Sequence, residues 1–217
     1  MLFMKLFLLF IIYSFIGWCI EVVVMKFHTK KWINRGFLIG PYCPIYGVSA
    51  ILMLILLQKY RTDLAALFVM SVLICSVCEY ITSYLLEKIF NARWWDYSHM
   101  RFNVNGRICL SNSVLFGLLG VLLIKYINPF LSNFLDIIPN IIIMISTITL
   151  SIIFITDLCI STNVIKKIKL TTNVERKDYT IEINEMVKRK LQKKSILINR
   201  IFNSFPNIES IKKKSTK

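Results

Sequence analysis

Residues 64–86 read LAALFVMSVLICSVCEYITSYLL, an apolar run with one charged residue, Glu79, and no Gly or Pro. A helix crossing the ~30 Å hydrocarbon core of a bilayer needs about 20 mostly apolar residues. The stretch meets that length and predicts a membrane-spanning helix. Outward from it, residues 2–25, 36–57, 108–126 and 139–161 read the same way, which makes about five spans. No small-x-small cleavage pattern follows the first run, so residues 2–25 are expected to be a retained span rather than a signal peptide. Gly36, Gly40, Pro41, Pro44 and Gly47 interrupt the start of the second.

Composition agrees with this reading. The chain has 217 residues, 56% of them hydrophobic, and a mean hydropathy of +0.61, well beyond the soluble norm for apolar content. Its formal net charge is +15 although only 18% of residues are charged. The charge is concentrated: residues 1–161 carry 12 basic and 7 acidic groups, residues 162–217 carry 15 and 5. The expected fold is therefore an all-α polytopic bundle over 1–161, followed by a basic tail over 162–217. Residues 178–205 of the tail fit an amphipathic helix. Ile183, Val187, Leu191, Ile198, Phe202 and Phe205 lie near one stripe, with Lys188, Arg189, Lys190, Lys193 and Lys194 around the other face. Such a helix beside a bilayer favours anionic lipids over nucleic acid.

Loop charge sets the expected orientation. Counting Lys and Arg from the first loop to the tail gives 4, 2, 4, 0 and 15. Cytoplasmic loops carry the excess of basic residues. The first loop, the third loop and the tail are thus expected in the cytoplasm, with the N-terminus outside a plasma membrane.

Glu21, Glu79 and Asp157 lie within the first, third and fifth spans. An ionised carboxylate in lipid costs a few kcal/mol or much more, so such residues face the bundle interior or find a partner. Glu21 is five residues from Lys26, roughly 7 Å at helical rise. Glu79 and Asp157 are nine residues from Lys88 and Lys166, roughly 13 Å. All three are expected in the inner half of the bilayer. Arg35 and Arg107 begin the second and fourth spans. This places Glu21 and Glu79 opposite Arg35 and Arg107 in a polar cavity open to the cytoplasm. Structural ion pairs that lock the helices are the other reading of the same residues.

The two basic loops look alike. The first runs Trp32-Ile33-Asn34-Arg35-Gly36; the second holds Arg93-Trp94-Trp95-Asp96-Tyr97 and ends Asn103-Val104-Asn105-Gly106-Arg107. Each follows a Glu-bearing span, as in a duplicated two-helix unit. Trp94, Trp95 and Tyr97 suit an interfacial aromatic belt; Asp96 is less expected there and could pair with Arg93 or Arg101. The Gly- and Pro-rich segment 36–47 is either a Pro-started helix or irregular backbone at membrane depth, which needs protein or a cavity around it.

Several of these stretches together resemble a known family. They are Phe15-Ile16-Gly17-Trp18 with Glu21, Asn34-Arg35-Gly36-Phe37-Leu38, Gly40-Pro41-Tyr42-Cys43-Pro44-Ile45-Tyr46-Gly47, Trp94-Trp95-Asp96-Tyr97-Ser98, Phe102-Asn103 and Asn105-Gly106-Arg107-Ile108. The pattern resembles the type IV (CmpB-like) ABC-transporter permease family of bacterial membrane proteins over roughly residues 10–160. The resemblance implies a permease-like component with a cavity for a substrate. Glu21, Glu79, Arg35, Arg107, Asn34, Asn105, Asp96, Trp18, Trp94, Trp95, Tyr97 and Asp157 are the candidate lining residues.

No Gly-x-x-x-x-Gly-Lys-[Ser/Thr] loop occurs, so a permease of this kind needs a separate ATPase subunit. Only His28 and His99 are present and no His-Glu-x-x-His occurs, so no metal site or cofactor is expected. Cys75-x-x-Cys78 falls inside an apolar span and reads as small filler. Two other classes stay open: an intramembrane enzyme using Glu21 or Glu79 in acid–base chemistry on a lipid or isoprenoid, and a membrane scaffold or sensor. Homo-oligomer formation is also left open.

Overall fold

The computed structural model describes residues 1–175 except 31, 33, 35, 37 and 91, together with residues 200, 209 and 210; the side chains of 28, 29, 92, 165–175, 209 and 210 are not described. The basic amphipathic helix expected over 178–205 lies outside the described residues apart from Arg200, and so does Arg35.

The chain is a helical bundle. Its elements are α1 (Leu2–Thr29), α2 (Pro44–Leu57), α3 (Leu64–Phe90), α4 (Leu110–Leu122), α5 (Asn128–Ile137) and α6 (Asn140–Glu175). Short strands β1 (Ala92–Arg93), β2 (Asn103–Val104), β3 (Ile108–Cys109) and β4 (Glu209–Ser210) complete it. β2 pairs antiparallel with β3, and β1 with β4. Among the described residues, four helical segments are long and apolar enough to cross a membrane: Leu2–Phe27, Leu64–Phe90, Leu110–Ile137 and Asn140–Val164. The apolar helix Pro44–Tyr60 is shorter. Large aliphatic side chains stand exposed along these helices, among them Leu73, Val77, Leu115, Leu118, Ile145, Ile148 and Ile152. An apolar surface of that extent marks contact with something other than water, here the acyl chains of a bilayer.

Small residues set the closeness of the helices. A Cβ on Gly17 of α1 would run into the Tyr46 ring of α2, and one on Gly47 of α2 would meet Ser14 Oγ and Phe10 of α1. Gly117 and Gly120 of α4 lie in the same way against Phe68, Ser71 and Val72 of α3. Membrane helices pack closely where small residues let backbones approach. Ser76 of α3 adds a hydrogen bond to Ser113 of α4 at 2.9 Å. The buried core runs through Leu8, Leu9, Tyr13, Ala50, Met53, Leu54, Leu57, Leu67, Ile124, Leu135 and Ile143.

The second and fourth helices differ from the bounds read in sequence, and α3 and α6 run on past theirs, to Phe90 and Glu175. The second begins at Pro44 rather than 36, with Pro in its first turn, where its missing N–H breaks no helical bond. The fourth does not stop at 126. A wide π turn over Leu123–Ile127 carries α4 directly into α5, so most of the expected 127–138 loop is helix. Pro129 cannot donate to the carbonyl of residue 125 and its ring crowds that position; the wider turn gives it room. The polar residues that read as loop have partners on α1: Tyr13 Oη donates to Asn128 Oδ1 at 3.0 Å, and Lys5 Nζ to Asp136 at 2.6 Å.

Candidate functional site

Three polar clusters occupy the end of the bundle where α1 and α3 finish and α4 begins. The first joins Glu21 and Glu79. Glu21 lies on α1 and accepts a hydrogen bond from the Tyr46 hydroxyl of α2 at 2.7 Å. Gly17 clears the space for the Tyr46 ring one turn earlier on α1. Glu79 on α3 is only 5% exposed and is electrostatically coupled to Glu21. The Tyr97 hydroxyl, carried in by the loop after α3, lies beside Glu79 and Asn112 of α4. Burial raises the Tyr97 phenol above its usual range, so it keeps its proton. The second Glu79 oxygen, Oε2, is buried without a hydrogen-bond partner.

The second cluster is centred on Asp157 of α6. Its carboxylate accepts from the backbone N–H of Ile39 at 2.9 Å and of Gly40 at 2.7 Å. It also accepts from Tyr42 Oη at 2.6 Å and Ser161 Oγ at 2.8 Å. Cys43 N–H donates to the Ser14 carbonyl at 2.9 Å. Backbone groups freed by the Gly and Pro residues of 38–43 are thus bonded within the protein, as low-dielectric surroundings require. Arg200 donates to the carbonyls of Gly36 and Leu38 on the other side of this segment. Trp18 Nε1 donates to Asn34 Oδ1 at 2.6 Å, and Asn34 Nδ2 reaches the Ile39 carbonyl at 3.4 Å.

The third cluster holds the 92–109 loop down as a lid. Arg107 Nη1 lies 2.7 Å and Arg93 Nε 3.1 Å from Glu87 of α3. Arg93 also reaches Asp96 at 3.6 Å. The Arg107 guanidinium sits 5.6 Å from the Tyr80 ring centroid and 5.5 Å from that of Tyr84. Within the loop, Trp95 Nε1 donates to the Arg107 carbonyl at 2.9 Å, Asn105 Nδ2 to Tyr80 Oη at 2.9 Å, and Tyr97 N–H to the Gly106 carbonyl at 2.8 Å. Gly106 has φ 67°, a left-handed conformation that glycine adopts without a Cβ penalty. Asp96 accepts from the hydroxyl and N–H of Ser98; chiefly the Ser98 hydroxyl holds its carboxyl below the ordinary range. Trp94 is buried edge-on to Phe90 at 6.2 Å, a packing position rather than an interfacial one.

The residues singled out in sequence therefore divide. Glu21, Glu79 and Tyr97 meet in one place. Asp157 serves the 38–43 segment, Trp18 and Asn34 pair beside it, and Arg107, Asp96, Trp95 and Asn105 belong to the lid. Arg107 faces Glu87, not Glu79. Sequence reasoning missed Tyr46, Tyr42, Asn112, Ser161 and Glu87. A signal existed for two of them: Glu79, Ser83 and Glu87 are spaced at intervals of four on α3, and Asp157 and Ser161 on α6, so each set shares one side of a helix.

Residues 8–162 match the protein family described as "Putative ABC-transporter type IV". The chain belongs to this family. No curated protein and no solved structure matches it. The family match covers α1 from residue 8, α2 to α5, the part of α6 that bears Asp157, and the three polar clusters apart from Arg200. The exposed apolar helices and the family together make this ABC-transporter-type chain a multi-pass membrane protein.

Proposed function

We propose that the chain is the membrane-embedded, permease-like subunit of an ATP-driven transporter, with its substrate site at the Glu21–Glu79 cluster. One observation carries the reading: carboxylates from two membrane helices lie near each other, and a phenol from the loop after α3 lies beside one of them. Polar side chains at membrane depth mark substrate pathways, and sites between helices are common in transport folds. Family membership supports the transport class.

In this reading the ATPase is a separate soluble subunit. It docks at the end of the bundle that carries the lid; the excess of Lys and Arg in the first and third loops supports a cytoplasmic position for that end. The lid, tied to α3 by Glu87, is then the element through which the ATPase acts on Tyr97. The basic tail holds the same face to anionic lipid.

The test is purification of the full chain from its native membrane in mild detergent, followed by ATPase assay and reconstitution into nanodiscs. A P-loop ATPase is expected to copurify at fixed stoichiometry. Its turnover is expected to fall on Glu87→Gln, which loosens the lid. An assembly purified from the native membrane without any ATPase rejects the reading.

A further inference from the structure

Glu79 carries more than the transport reading requires. Glu79 is 5% exposed, the Tyr97 phenol lies beside it, and Oε2 has no donor. A buried carboxylate oxygen left without a donor is costly, more so than a neutral group. Among the described residues, the ion pairs of Lys5, Arg93 and Arg107 go to Asp136, Glu87 and Asp96, and none reaches Glu79. Arg93 and Arg107 of the lid are thus engaged away from Glu79.

We infer that Glu79 Oε2 is the anchor of a binding site for a small organic ammonium ion. The resident group must donate a hydrogen bond and carry positive charge. Two features favour an alkylammonium over a bare metal ion. Among the described residues no group of three or more His, Cys, Asp or Glu is arranged to hold a metal. Two aromatic rings stand in the cluster: Tyr97, and Tyr46 with its ring edge-to-face on Phe116 at 5.9 Å. Aromatic faces attract organic cations, whereas hard metal ions take several oxygen ligands. The route in is the lid: Tyr97 leaves Glu79 when the loop lifts from Glu87, and the ammonium takes its place between Oε2 and the phenols. This deepens the proposed function by naming a substrate class and rests on the same site.

The full chain in nanodiscs of neutral phosphatidylcholine tests this by calorimetry, with n-butylammonium, n-butanol, Na⁺ and K⁺ as separate probes. Saturable butylammonium binding is expected, with no binding of butanol and at least tenfold weaker binding of Na⁺ and K⁺. Glu79→Gln is expected to weaken butylammonium at least tenfold, and Tyr97→Phe, which keeps the aromatic ring, by a smaller factor. Asp136→Asn, at the opposite end of the bundle, is expected to bind like the parent. If Glu79→Gln does not fold, Glu79→Asp takes its place, and weakened binding in a folded protein is again required. Equal binding of butanol or Na⁺, or butylammonium affinity unchanged in either Glu79 variant, overturns the inference. The outcome is independent of the ATPase: loss of ammonium binding with ATPase copurification intact rejects this site alone, and the reverse rejects the transport reading alone.

Discussion

Tyr42 donates its hydroxyl to Asp157 at 2.6 Å, joining residues 115 positions apart in the chain. The bond fastens an irregular segment between α1 and α2 to the last membrane helix. Three other donors converge on the same carboxylate, two of them backbone N–H groups.

Asp157→Ala is therefore expected to leave buried donors at Ile39 and Gly40 unmatched and to destabilise the protein by about 3 kcal/mol. Asp157→Asn keeps one acceptor oxygen and should cost less. Thermal unfolding followed by fluorescence-detected gel filtration ranks the two. An alanine variant as stable as the parent would remove Asp157 from any structural role.

Gly17 lies beneath the Tyr46 ring with no room for a methyl group. Gly17→Ala is expected to push the ring away from Glu21 and to destabilise the α1–α2 contact by about 1–3 kcal/mol, the range for overpacking. The companion change Tyr46→Phe loses only the bond to Glu21. A cysteine cross-linking pair placed across α1 and α2 reads the separation directly.

The lid is held by a shared acid. Arg93 and Arg107 both reach Glu87, so Arg107→Ala and Glu87→Gln should not be additive. A double-mutant cycle is expected to show coupling of about 1–3 kcal/mol. The single variants should raise hydrogen exchange at residues 95–106, whereas Lys5→Ala should leave it unchanged.

Acid should loosen the same loop. The Ser98 hydroxyl lowers the Asp96 carboxyl from its ordinary value. A group depressed in the folded state adds stability above its unfolded pKa and loses it as pH falls through the folded one. Lid protection is therefore expected to persist at pH 5 and to fade below the ordinary carboxylate range, near pH 4. Ser98→Ala should move the loss to higher pH. Amide exchange against pH, with and without Ser98, measures both.

The long helices were legible because α1, α3 and α6 are apolar over lengths that few other structures use. The acids were legible too, since a charge in such a run has few benign explanations. What they bond to was not. Composition places Glu87 in a loop, yet α3 continues through Phe90 and brings Glu87 onto the side that faces the lid, where it takes Arg107 from Glu79. Asn128, Pro129, Ser132 and Asp136 together resemble a turn; only the wide π turn before them and the polar partners Lys5 and Tyr13 make that stretch helical. Both errors come from tertiary partners supplied by distant sequence, which local pattern cannot contain.

The short second helix has one more consequence. Pro44–Tyr60 has 17 residues against 27 in Leu64–Phe90, about 26 Å against about 40 Å of helical rise. Leu52, Ile55 and Leu56 still turn outward to lipid. The greasy girdle of the molecule is thus uneven in height, lowest on the flank where α2 lies. Acyl chains there must shorten, splay or thin the leaflet, so this flank should gather short-chain or disordered lipids while the rest of the circumference does not.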